Sequence, residues 1–289
     1  MWPALRQIPA TGAPQRRQLR HIVEAGHQRV VQFRVVWVSA VVVDRNASGD
    51  TGAGALITVR GARLLAQADV VLHDALVTEE MLALCPQALK IPVGKRCGKL
   101  STAQQFINKQ MIDNARKYAV VVRLKGGDPM LFGRADEELR ALEQHGIAVE
   151  VVPGISAALA AAATSQQPLT KRGVARSVAF FTSSTAPGES DEVNIPSCDT
   201  LVQYMGGREA AATARRLLAQ GRAASTPVVV VENCSRDNQR IQRLRLDQLE
   251  SGLQLCEGPV LVMIGEALAS RARQTLETDR QDQRTENAA

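Results

Sequence analysis

The groups best suited to chemistry on a small molecule gather in the segment RLKGGDPMLFGR, residues 123–134. A hydrophobic run at 119–124 leads directly into Gly126, Gly127, Asp128 and Pro129. Open α/β sheets bind ligands beyond the carboxyl ends of their strands, and glycines there let backbone groups come close to a ligand. Arg123 and Arg134 bound the segment, and a guanidinium can hold a carboxylate through two parallel hydrogen bonds. The same residues also suit a tight strand-to-helix turn in which Asp128 caps the next element, and local chemistry leaves both readings open.

Other ligand motifs fail on inspection. Gly52 and Gly54 begin a G-x-G, but Ile57 stands where a dinucleotide fingerprint needs its third glycine. Gly94-Lys95 is no phosphate loop, because Leu89 holds the place of the first glycine and Arg96 that of the Ser or Thr. Neither a serine-hydrolase elbow nor a zinc-protease helix occurs. The cysteines at 85, 97, 198, 234 and 256 make no C-x-x-C pair, and the histidines stand apart from them. Reduced thiols in a cytoplasmic protein, with no metal site, are therefore expected.

The elements that must position these groups alternate in type. Strands are predicted at 35–43, 70–73, 119–124 and 148–152, with helices at 58–68, 135–145 and 155–164. Gly146 is the expected C-cap of the helix before it. One more helix is marked by the capping-box pair Ser101 and Gln104, with Ile107, Met111 and Ala115 on one face. This order implies a parallel sheet. A second α/β unit comes next, with strands near 177–182, 200–205, 227–231 and 259–264, and an amphipathic helix carrying Ala210, Ala214, Leu217 and Leu218 before Gly221. The expected organisation is a poorly ordered extension at 1–34, domains at 35–170 and 171–273, and a polar tail at 274–289.

Composition narrows the class. Aromatic residues make up only 3%, so the core must be Val, Leu, Ile and Ala, as in helices packed on mostly parallel strands. The net charge is +6, yet Arg6, Arg16, Arg17, Arg20, Arg29 and Arg34 against Glu24 put +5 of it in residues 1–34. The rest of the chain is nearly neutral, which speaks against a nucleic-acid-binding face on the folded body. The longest hydrophobic stretch, 35–43, contains Ser39 and is about half of what spans a bilayer, so neither a membrane span nor a secretory signal is expected.

RLKGGDPMLFGRADEE resembles the diagnostic segment of the uroporphyrinogen III C-methyltransferases. Other stretches agree with that family in order and spacing: LITVRGARLLAQADVVLHD at 56–74, VGKRCG at 93–98, VVPGISAALAAAA at 151–163, PLTKRGVARSV at 168–178 and YMG at 204–206. The resemblance covers 49–271. It implies a two-domain α/β tetrapyrrole-methylase fold, with S-adenosylmethionine held in the cleft between domains and no metal. It also implies uroporphyrinogen III as substrate and a homodimer. Asp74 falls on the family's proton acceptor and Lys95 on its proton donor, with Arg96 beside it for a substrate that carries eight carboxylates. Gly126, Gly127, Asp128, Leu131, Ser156, Ala157 and Met205 fall on positions that contact the cofactor. Arg123, Arg134 and Arg172 are candidates for pairing substrate carboxylates.

Three stretches depart from the pattern. The family's GAGPGD loop aligns with Arg45, Asn46, Ala47, Ser48, Gly49 and Asp50, which puts Ser48 in place of a proline near the cofactor. Cys234 replaces a glycine that contacts the cofactor, and Ser183-Ser184 replace a common Gly-His. These changes make weakened cofactor binding an expectation alongside methyl transfer to uroporphyrinogen III or to a later corrinoid precursor.

Overall fold

The computed structural model describes residues 34–43, 54–94, 100–184, 194–254 and 256–270. The expectations for residues 1–33, 45–48, 95–96 and 271–289, which include Ser48, Lys95 and Arg96, lie outside the described residues.

Two sheets belong to one compact unit. In the first, β1 (Arg34–Val43) pairs in parallel with β5 (Val120–Gly126) along one edge. Its other edge is shared: the first half runs parallel to β6 (Ala148–Val151), and the second half antiparallel to β2 (Gly54–Ile57). β3 (Val70–His73) lies parallel to β5 on its far side, and β4 (Leu89–Pro92) parallel to β3.

Helices cover this sheet on both faces, which is why its strands read as runs of valine rather than as an alternation. On one face Val36, Val38, Val71, Val122 and Leu124 meet Leu65 of α1 (Val59–Leu65) and Met81 of α2 (Glu79–Leu82). On the other, Val35, Val70, Leu72 and Val121 meet Met111 and Ala115 of α3 (Leu100–Ala115) and Leu142 of α4 (Ala135–Glu143). Each such Val, Leu or Met side chain contributes about 1.5–3 kcal/mol by leaving water. Gly146 caps α4 as expected, with φ of 66° and its amide bonded to the Glu143 carbonyl at 2.9 Å. The capping box expected at Ser101 and Gln104 would start a helix there, whereas α3 spans Leu100–Ala115 and contains Ser101 as a helical residue. Gln104 instead is buried and donates to Asn108 and Glu138.

The parallel register decides where chemistry can occur. His73 pairs with Leu124 and with Pro92, so Asp74 and Val93 leave the sheet level with Lys125, next to the end of β5 at Gly126. The Gly126-Gly127-Asp128 turn comes immediately after, on that edge.

The second sheet has the order β10-β9-β11-β8-β7. Its strands are β7 (Val178–Thr182), β8 (Thr200–Tyr204), β9 (Pro227–Glu232), β10 (Arg240–Arg245) and β11 (Val260–Ile264). Only β7 and β8 pair in parallel. The expectation of mostly parallel strands therefore holds for the first sheet and fails for the second. α6 (Ala210–Ala219) and α7 (Leu246–Leu249) cover one face of the second sheet. The other face receives α5 (Ala157–Ser165), whose Ala158 and Ala161 sit against Val202, Val229, Val231, Leu261 and Met263. A helix of alanines can approach a sheet this closely, and it carries the turn before it, at 153–156, to the edge of the second sheet.

Candidate functional site

β5 ends in two buried cations. Arg123 and Lys125 are 3% and 5% exposed, and both face Glu138 of α4, which is 1% exposed. Glu138 Oε2 lies 3.4 Å from Arg123 Nε and 3.2 Å from Lys125 Nζ, and Gln104 donates to Oε1 at 3.3 Å. Arg123 also donates to the carbonyls of Leu72 and Leu124. Burial pushes the Lys125 ammonium below its ordinary value, while Glu138 and, more weakly, Asp74 pull it back up.

Lys125 also donates to the Gly133 carbonyl, which ties the loop after β5 back to its own strand. Gly133 has no room for a side chain, since a Cβ there would meet the Pro129 carbonyl oxygen at 2.7 Å. Gly127 has φ of +76°, a conformation that other residues enter only with strain. Asp128 accepts the Met130 amide on Oδ1 at 2.9 Å and the Gly154 amide on Oδ2 at 2.8 Å. It thus joins this loop to the turn that enters α5. The turn reading of Asp128 is met in full, and the residue still lines a cavity.

That cavity, about 240 Å³, lies between the edges of the two sheets. One wall is Gly126, Gly127, Asp128, Leu131 and Phe132 with Ser156 and Ala157; the other is Tyr204, Met205, Val231, Cys234, Arg236 and Leu261. Tyr204 joins them. Its hydroxyl accepts the Ala158 amide at 3.1 Å and bonds Ser156 Oγ, so it satisfies the first turn of α5 in place of a capping side chain. Its ring lies 4.9 Å from that of Phe132 and 6.0 Å from that of Phe180. Burial holds the phenol above its ordinary pKa, so it stays protonated and able to donate.

The residues expected from the sequence separate into two groups. Gly126, Gly127, Asp128, Leu131, Ser156, Ala157, Met205 and Cys234 line one cavity. Asp74 stands at its margin: Asp74 Oδ1 accepts the Leu76 amide at 2.9 Å, and Leu76 lines the cavity. The three arginines expected to hold substrate carboxylates do not line it. Arg123, 3% exposed, pairs with Glu138 inside the first sheet. Arg134 pairs with Glu137 through both Nε and Nη2, at 2.7 and 2.6 Å. Arg172 lies exposed in the Lys171–Ala175 turn. Tyr204, Phe132, Leu76 and Arg236 were not expected. For Tyr204 a signal existed, since it is one of two tyrosines and stands at the end of a buried strand.

Residues 51–250 match the family model of the tetrapyrrole (corrin/porphyrin) methylases. The chain belongs to this family. It is 43% identical over 215 residues to a uroporphyrinogen-III C-methyltransferase of Pseudomonas aeruginosa, covering 73% of this chain and 88% of that one. It is 44% identical over 224 residues to siroheme synthase 1 of Serratia proteamaculans, covering 76% of this chain but 46% of that protein. The chain thus spans about half the length of the siroheme synthases it matches. The uroporphyrin-III C-methyltransferase of Thermus thermophilus, solved with S-adenosylhomocysteine, superposes with a TM-score of 0.66 at 36% identity, over 81% of this chain and 92% of that one.

Within this chain the unusual serine and cysteine residues are accommodated. Ser183 is buried, accepts from Gln203 at 2.8 Å and lies 3.3 Å from Thr213 Oγ1, and it faces the second sheet's own core rather than the cavity. Cys234 does face the cavity, with its thiol held neutral by burial. Among the described residues no helix is long and apolar enough to cross a membrane, and no group of three His, Cys, Asp or Glu is placed to hold a metal ion.

Proposed function

We propose that this chain transfers methyl groups from S-adenosylmethionine to carbons 2 and 7 of uroporphyrinogen III, giving precorrin-2. The observation that carries this reading is the cavity at the strand ends, where eight residues placed by resemblance at the cofactor site are neighbours in space. The lining suits such a ligand. Leu131, Met205, Val231 and Leu261 offer apolar contacts to an adenosyl group, and the left-handed Gly127 leaves backbone bare for its polar end.

S-adenosylmethionine supplies a methyl group on a positively charged sulfonium, so no metal is needed to activate it. The chain's own residues hold and orient. The Lys125 and Asp128 bonds keep the loop after β5 in one shape before ligand arrives, which lowers the cost of ordering it. The apolar walls keep water from the reacting carbon. Once a pyrrole carbon has gained the methyl group a proton must leave the tetrapyrrole, and Asp74 is the proposed acceptor, with Lys95 the proposed donor. The assembly proposed is a homodimer, checked by sedimentation.

The test is incubation of the purified chain with uroporphyrinogen III and methyl-labelled S-adenosylmethionine under anaerobic, reducing conditions. Dimethylated product is expected. Asp74→Asn should lower kcat at least tenfold and leave the affinity for S-adenosylhomocysteine within twofold. A second reading, a member that binds ligand without turnover, is favoured by Cys234 projecting into the cavity. S-adenosylhomocysteine binding without any methyl transfer would select it.

A further inference from the structure

Among the described residues lining the cavity, Arg236 alone carries a positive charge. It sits on a braced turn between β9 and β10. Asn233 and Ser235 both adopt left-handed conformations, with φ of 51° and 64°. The Arg236 amide bonds the Asn233 carbonyl at 3.0 Å, and its carbonyl accepts the Gln239 amide at 2.9 Å. Gln239 in turn accepts the Ser235 amide at 2.8 Å and donates to Thr164 of α5 at 3.0 Å. Strained residues persist only where surrounding bonds hold them, and here those bonds aim one cation across the cavity.

The Arg236 guanidinium donates to the Leu76 carbonyl at 3.1 Å, in the turn that Asp74 closes. That accounts for one of five N–H donors. The cavity's other charged residue, Asp128, directs its two oxygens to the Met130 and Gly154 amides and makes no ion pair with Arg236. Among the described residues no carboxylate lies within ion-pair distance of Arg236. A guanidinium so placed, half-buried against Leu76 with its other donors facing a cavity, is a receptor for an anion that arrives from outside.

We propose that Arg236 binds a carboxylate of the ligand, with Leu76 fixing the angle of the guanidinium. This assignment rests on the function proposed above, and both of its ligands carry carboxylates: the tetrapyrrole side chains and the amino-acid end of the methyl donor.

The experiment compares wild type with Arg236→Ala, Arg236→Gln and Arg236→Lys, each checked for fold by circular dichroism. Calorimetry gives the Kd for S-adenosylhomocysteine and for its decarboxylated analogue, and turnover gives KM and kcat for uroporphyrinogen III. A tenfold or greater loss is expected for one ligand in the Ala and Gln variants, partly restored by Lys. A raised KM for uroporphyrinogen III with the S-adenosylhomocysteine Kd unchanged assigns the carboxylate to the tetrapyrrole. Weakened S-adenosylhomocysteine binding, with the decarboxylated analogue bound equally by variant and wild type, assigns it to the methyl donor. Constants within twofold of wild type for both ligands overturn the proposal, as does a lowered melting temperature with unchanged binding, which would make Arg236 a strut for Leu76 alone. A wild-type chain that binds neither ligand overturns the function proposed above and this assignment with it. A wild type that methylates, beside an Ala variant that does so equally well, overturns this assignment alone.

Discussion

The wall built on β5 and the wall built on β8, β9 and β11 hold their loops by different means. Behind the first, Arg123, Lys125 and Glu138 share a site closed to water, and Lys125 reaches the loop at Gly133. Behind the second lie Val202, Val229, Val231, Leu261 and Met263, an apolar layer whose main polar tie to the first wall is the Tyr204 hydroxyl. Buried charges fix geometry sharply and fail sharply, because removing one partner strands the others. Apolar layers tolerate exchange with smaller losses. The departures from the resemblance among the described residues, Ser183, Ser184 and Cys234, belong to the second half.

The largest effect should come from breaking the charged wall. Glu138→Leu removes the buried carboxylate that Arg123 and Lys125 share and is expected to destabilise by about 3–5 kcal/mol in urea unfolding. The triple variant Arg123→Met, Lys125→Met, Glu138→Leu removes the charges together and should recover much of that loss. It should not recover affinity for S-adenosylhomocysteine, since Gly133 stays without its anchor. Recovery of both would show that the charges hold the fold and not the loop.

Tyr204→Phe tests the second wall with a smaller effect. The rings of Phe132 and Phe180 keep their neighbour, while the Ala158 amide and Ser156 lose their partner. A loss of about 1–3 kcal/mol is expected, together with weaker S-adenosylhomocysteine binding, because Ser156 and Ala157 line the cavity. Gly127→Ala should cost about 1 kcal/mol through its left-handed backbone, and a larger share in ligand affinity than in stability. Equal stability of Tyr204→Phe and wild type would remove the hydroxyl from the account.

The difference between the walls also governs what could be read without coordinates. β1, β3 and β5 were legible because burial on both faces writes itself as runs of valine, and the glycine turn was legible because few other residues fit there. In the second sheet β7, β8, β9 and β11 were legible too, but β10 and the antiparallel pairing were not, since β10 is the edge strand RIQRLR, whose exposed arginines hide its pairing with β9. Arg123 was recognised as a cation and assigned to a ligand, but its partner Glu138 reads as one more acid in the first turn of α4. Only the packing of α4 on the sheet shows that both are buried. Tyr204 and Arg236 depend on contacts between segments far apart in sequence, to Ser156 and to Leu76, which no local pattern announces.

Cys234 sharpens the comparison with the smallest change. It stands where the resemblance expects a glycine, and its neutral, half-buried thiol faces the cavity. If the second wall tolerates exchange because it is apolar and loosely specified, Cys234→Gly should lower stability by no more than about 1 kcal/mol through added chain entropy. Removing the side chain should also clear space and raise affinity for S-adenosylhomocysteine by about threefold to tenfold, or about 0.6–1.4 kcal/mol. Cys234→Ser separates bulk from polarity, since it keeps the size and replaces sulfur by a hydroxyl. Affinity that rises in the Gly variant and stays level in the Ser variant assigns the effect to bulk. Affinity that falls in both would make the sulfur a ligand contact, and the second wall would then be as specific at this position as the first.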